Sequence, residues 1–111
     1  LIASCQEQVA QSSIVSVEEF NTLVLGKDVQ LVDVRTEIEY SEGHIDDAIN
    51  IDYFEEDLFA QKFAQFDMEK PIYIYCKSGG RSQKAAKILH ELRFNEIIDL
   101  KGGYDAWIDK N

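Results

Sequence analysis

Short apolar runs alternate with helix-spaced segments along this chain, and that alternation constrains the fold more than any other feature. Val29-Gln30-Leu31-Val32-Asp33-Val34, Ile72 to Tyr75 and Glu96 to Leu100 read as strands. These runs are nearly continuous in apolar residues, as expected for strands buried on both faces. Between them lie helical patterns. Ser16-Val17-Glu18-Glu19 has the form of a capping box, Val17, Phe20 and Val24 follow at helical spacing, and Gly26 stops the run. A short acidic helix is expected from Glu37 to Glu42, ending at Gly43, and a short strand over Ala48 to Ile51. Phe59, Phe63 and Phe66 mark a helix from Glu55 to Phe66. Pro71 opens the Ile72 strand, Ser82 to Leu92 is helical, and Gly102-Gly103 turns the chain into a last helix around Tyr104 to Ile108. The expected class is α/β: a mainly parallel central sheet with helices on both faces. In such sheets ligands bind at the carboxyl ends of the strands.

The 111 residues suit one domain, read as a polar lead-in over 1–13 and a folded unit over 14–111. No segment approaches the roughly 18 apolar residues that cross a bilayer. Charge is unevenly placed. Glu37 to Glu69 carries eleven acids against Lys62, which matches the whole net charge of -10. Lys70 to Arg93 reverses the sign, with Lys70, Lys77, Arg81, Lys84, Lys87 and Arg93 against Glu91. The overall charge argues against nucleic acid, while the local basic cluster suits a small anion or a thiolate.

That cluster surrounds Tyr73-Ile74-Tyr75-Cys76-Lys77-Ser78-Gly79-Gly80-Arg81-Ser82. Cys76 ends a strand and a helix follows within a few residues. A cysteine attacks as thiolate, and a free thiol has a pKa near 8.5. Three features favour the anion here. The following helix turns its positive end to the loop. Gly79 and Gly80 allow backbone N–H groups to turn inward. Lys77 and Arg81 add formal charge. The plainer reading is a small buried hydrophobe at a strand end; the full arrangement of strand, loop, double glycine, arginine and helix outweighs it. The G-x-x-x-x-G-K spacing of a nucleotide loop is missing. Nothing in the sequence assigns a histidine or carboxylate as a base.

The two cysteines, Cys5 and Cys76, are too few for a disulfide framework or a zinc site, and His44 and His90 are far apart, so neither a metal nor a cofactor is expected. Ile2-Ala3-Ser4-Cys5 has the form of the end of a bacterial lipoprotein signal. Cys5 is therefore a candidate for lipidation, with the polar run after it as tether; the alternative is a frayed terminus with a chance cysteine. A lipid anchor at Cys5 is the sole membrane association expected. It would make the protein periplasmic or membrane-anchored; without it a cytoplasmic location is expected.

Three blocks resemble the rhodanese-like sulfurtransferases, specifically the small single-domain bacterial type. They are "LVDVRTEIEYSEGHIDDAINI" from Leu31 to Ile51, "YCKSGGRSQKAAKIL" from Tyr75 to Leu89, and "LKGGYDAW" from Leu100 to Trp107. The resemblance spans roughly residues 14 to 109. It implies that Cys76 carries sulfur as a persulfide, cradled by Lys77, Ser78, Gly79, Gly80, Arg81 and Ser82. It implies a small sulfur-containing anion such as thiosulfate as donor, and cyanide or a thiol, including a protein thiol, as acceptor. In the family a C-x4-R loop fits sulfur, while phosphatase and arsenate-reductase relatives use one residue more; Cys76 to Arg81 is C-x4-R. Asp33 and Arg35 recur near the family's site, and their plainer reading is a polar pair fixing the strand end. His44, Gly102, Gly103 and Trp107 read as turn and packing residues. Two departures stand out: Asp46-Asp47 where the family has a small or proline–glycine pair, and Asp52 where it often has proline. The alternatives kept open are a persulfide carrier or interaction module without turnover and, less favoured, a phosphatase or arsenate reductase.

Overall fold

The computed structural model describes residues 11–111. Its order is β1 (Gln11–Val15), α1 (Val17–Val24), β2 (Gln30–Asp33), α2 (Glu37–Ser41), β3 (Ile49–Asn50), α3 (Glu56–Lys62), a 3-10 turn (Phe63–Gln65), β4 (Ile72–Tyr75), α4 (Gly80–Glu91), β5 (Glu96–Leu100) and α5 (Gly103–Lys110). The five strands form one sheet in the order β1-β5-β4-β2-β3, and all four pairings are parallel.

Two apolar layers cover the sheet, as the doubly buried strands require. Val32, Ile72, Ile74 and Ile97 meet Phe59 and Phe63, and Ala85 and Leu89 of α4. On the other face Leu31, Tyr73, Tyr75 and Ile98 meet Val17, Phe20 and Val24 of α1, with Tyr104 and Trp107 of α5 packed alongside. Alternate residues of β4 thus serve opposite faces, as the period of two demands.

Several boundaries differ from the sequence reading. Gln11–Val15 is a strand paired with Glu96–Leu100, so residues 11–13 belong to the sheet and not to a lead-in. At α1 the Ser16 hydroxyl accepts the Glu19 N–H at 3.1 Å, one half of the expected box. The complete box lies at α2, where the Thr36 hydroxyl accepts the Glu39 N–H and Glu39 Oε1 accepts the Thr36 N–H. The phenylalanine helix ends at Lys62 and tightens into the 3-10 turn before Phe66, a common way to finish a helix. The departures in the acidic connection are accommodated. Asp47 takes φ 70°, a left-handed position that aspartate tolerates better than most residues. Asp52 Oδ1 accepts the Phe54 N–H at 2.8 Å and turns the chain without proline.

Candidate active site

Cys76 follows β4 at the carboxyl end of the sheet. The loop is shorter than the sequence suggested, because α4 starts at Gly80. Gly79 caps it at φ 114°, a conformation that glycine reaches without cost. That bend turns the Gly79 N–H onto Cys76 Sγ at 3.0 Å. The Sγ–H donates to Ser82 Oγ at 3.4 Å. At 1% exposure the sulfur sees these groups and little bulk water. Gly80, Arg81 and Ser82 occupy the first turn of α4, so their N–H groups have no intrahelical acceptor. They remain free to receive a second sulfur or an oxyanion, and the helix end favours negative charge there.

The charged residues of the loop divide. Arg81 gives a two-pronged pair to Glu39, Nη1–Oε1 at 2.8 Å and Nη2–Oε2 at 3.0 Å. It is also near enough to Cys76 for a thiolate to stabilise its charge. Arg81 and the Thr36 cap together hold the Glu39 carboxyl down at about 2. Lys77 departs from expectation: its Nζ lies 3.0 Å from Asp105 Oδ2 of α5, with both side chains half exposed. Its charge therefore braces the loop against α5 instead of facing the sulfur. Ser78 is exposed at the loop tip.

The first N–H groups of α5 also close on the loop. Tyr104 N–H donates to the Cys76 carbonyl at 2.7 Å and Asp105 N–H to the Lys77 carbonyl at 3.0 Å. This contact needs Gly103, which sits at φ 63° and leaves no room for a side chain. A Cβ there would stand 2.5 Å from Cys76 O and 2.6 Å from Lys77 C. Both are backbone atoms, so the loop itself would have to move. Gly103→Ala is expected to lower stability by about 1–3 kcal/mol and to cut the activity of the site at least about tenfold. Thermal unfolding and kcat/KM measure the two; a variant matching wild type in both contradicts the clamp.

Asp33 and Arg35 form a buried pair, Nη2–Oδ2 at 2.6 Å, with side chains 0% and 5% exposed. Arg35 also donates to the Gly43 carbonyl at 2.7 Å and lies 4.2 Å from the Tyr104 ring centre. The pair thus packs on the ring of Tyr104, the residue whose N–H reaches the Cys76 carbonyl. His44 bonds the Tyr40 carbonyl through Nδ1 at 3.0 Å and stacks on the Tyr40 ring, so it fixes its turn. Cys5 lies outside the described residues. Sequence reasoning missed Glu39, Asp105 and Asp99, the last a buried acid of β5 whose carboxyl is pushed up to about 6 by burial. For Glu39 a signal existed in Thr36-x-x-Glu39, a capping box as plain as the one noted at Ser16.

Residues 16–110 match the family model described as the rhodanese-like domain. The chain is 37% identical over 96 residues to the thiosulfate sulfurtransferase GlpE of Shewanella oneidensis, covering 86% of this chain and 92% of that one. It is 35% identical over 85 residues to GlpE of Coxiella burnetii, covering 77% of each. Among solved structures it resembles a rhodanese-like domain protein from Staphylococcus aureus, with TM-score 0.72, 34% identity, and coverage of 87% of this chain and 91% of that one. A cysteine at the end of a parallel strand, under a glycine-capped helix, is thus placed in a sequence that matches this family along almost its whole described length, and the chain belongs to the rhodanese-like family.

Proposed function

We propose that this chain is a thiosulfate sulfurtransferase that works through a persulfide on Cys76. The observation that carries the reading is the Gly79 N–H directed at Sγ, at the head of a helix whose next three amides are free. The Cys76 thiolate attacks the sulfane sulfur of thiosulfate. The sulfur–sulfur bond breaks and sulfite leaves with the electron pair. The outer sulfur of the persulfide then lies among the amides of Gly80, Arg81 and Ser82. An acceptor, cyanide or a thiol, attacks that sulfur and releases the Cys76 thiolate, which the Gly79 N–H stabilises. Arg81 contributes charge from the rim, held in place by Glu39. Lys77 and Asp105 hold the loop, and Asp33 and Arg35 support it from behind.

The test is direct. With thiosulfate alone, the protein is expected to release one equivalent of sulfite and to gain the mass of one sulfur on the Cys76 peptide. Cyanide is expected to remove that mass as thiocyanate. No sulfite and no mass gain would sink the proposal.

One observation favours a second reading, a carrier loaded by a protein persulfide. Phe54 is 60% exposed and lies beside Arg81, 5.5 Å from its guanidinium carbon. Glu55, Glu56 and Asp57 follow it, an acidic and apolar surface next to the loop that suits a basic partner. A mass gain that persists without turnover on free acceptors supports the carrier. Anchorage through Cys5, and with it a periplasmic location, is a further part of the proposal and rests on the Ile2-Ala3-Ser4-Cys5 pattern.

A further inference from the structure

The formal charges of the Cys76 loop are cancelled from outside it. Arg81 gives both arms of its guanidinium to Glu39 of α2, Nη1–Oε1 at 2.8 Å and Nη2–Oε2 at 3.0 Å. The Phe54 ring lies against the same group, 5.5 Å from its guanidinium carbon. Lys77 Nζ reaches both carboxylate oxygens of Asp105 on α5, at 3.1 and 3.0 Å. Two cations thus meet two anions. The hydrogen-bond partners of Cys76 Sγ among the described residues, the Gly79 N–H and Ser82 Oγ, carry no formal charge.

A donor at this loop therefore meets backbone dipoles and the positive end of α4, with little net side-chain charge. The attraction of a cationic side chain scales with the donor's own charge. Thiosulfate carries two negative charges and would gain most from an unpaired cation. An organic donor such as a thiosulfonate carries one and would gain half as much. Pairing both cations narrows the advantage of the dianion. The net charge of -10 acts in the same sense, repelling a dianion more than a monoanion. The two pairs differ in weight. Arg81–Glu39 is bidentate and mostly covered, whereas Lys77–Asp105 is half exposed, where solvent and salt screen it. Glu39 keeps its charge down to about 2, chiefly because Arg81 hydrogen-bonds it, so this pair is ionised throughout the neutral range.

We infer that Glu39 and Asp105 are specificity-determining residues, which cancel the charge of Arg81 and Lys77 and so remove the electrostatic preference for a dianionic sulfur donor over a singly charged organic one. The inference rests on Cys76 accepting sulfur, and it names the class of donor that the loop takes. With a thiosulfonate the Cys76 thiolate attacks the outer sulfur. The sulfur–sulfur bond breaks, a sulfinate leaves with the electron pair, and the same persulfide results as from thiosulfate.

Thiosulfate and benzenethiosulfonate are compared by kcat/KM in the wild type, Glu39→Gln and Asp105→Asn. Glutamine keeps a side-chain oxygen to accept the Thr36 N–H, so the cap of α2 is retained. A merely loosened loop would slow both donors alike and leave their ratio unchanged. A freed cation raises the ratio of thiosulfate to thiosulfonate, by about threefold in Glu39→Gln and less than about twofold in Asp105→Asn. An unchanged or lowered ratio in Glu39→Gln overturns the inference. A second readout needs no sulfur transfer. Iodoacetate and iodoacetamide differ by one charge, and the ratio of their alkylation rates on the Cys76 peptide cancels the reactivity of the sulfur itself. That ratio is also expected to rise about threefold in Glu39→Gln. A constant ratio overturns the inference. Failure of the sulfurtransferase reading shows differently, as no sulfite or sulfinate released by the wild type, with the alkylation ratio still deciding the role of Glu39.

Discussion

Replacing Cys76 with serine is expected to cut sulfite release from thiosulfate by at least about a thousandfold, because the covalent step has no substitute nucleophile. A serine hydroxyl stays protonated near neutrality and forms no persulfide. The fold should barely register the change. The new hydroxyl keeps the Gly79 N–H and Ser82 Oγ as partners, so no buried polar group is orphaned. Melting temperature near the wild-type value, together with lost turnover, separates a chemical defect from a structural one. The chain has one other cysteine, Cys5, so Cys5→Ser is the matched control and should keep full activity. Wild-type turnover by Cys76→Ser would remove this residue from the chemistry altogether. Sulfur mass appearing on any other peptide would do the same.

Much of this site was legible because it is contiguous. Strand, nucleophile, glycine cap and first helical turn occupy ten successive residues from Tyr73 to Ser82, and local chemistry was enough to read them. What was missed arrives from elsewhere in the chain. Asp105 reaches Lys77 from 28 positions away and Glu39 reaches Arg81 across 42. Asp99 resembles any polar residue in an apolar run until β5 is placed beside β4 with its odd residues toward α4. The misplaced role of Lys77 has the same origin. A basic residue beside a thiolate invites an electrostatic reading, and only the docking of α5 shows that an acid waits for it on the other side. β1 escaped notice because Gln11-Ser12-Ser13 carries too little apolar signal. As an edge strand it takes its pairing from β5 alone. Polarity is tolerated there, as it would not be in the sheet's middle.

Asp33→Ala is expected to be the most destabilising single change around the site, costing about 3–5 kcal/mol. The cause is not the attraction lost but the charge left behind. Arg35 is 4% exposed overall and gives Nε and Nη2 to the Asp33 carboxylate, with the Asp33 side chain fully buried. Without Asp33 the guanidinium keeps the Gly43 carbonyl and the face of Tyr104, and neither supplies a counter-charge. A loss of this size is a large part of the 5–15 kcal/mol that holds a typical domain together. Activity should fall with it, since Tyr104 donates its N–H to Cys76 O while Arg35 packs on its ring. A double-mutant cycle tests the reasoning. Asp33→Ala with Arg35→Leu removes both charges and leaves an apolar side chain in the vacated space. It is expected to unfold at higher denaturant than Asp33→Ala alone. Should the double variant prove as unstable as the sum of the two singles, the cost would lie in lost packing, and the buried charge would not be its source.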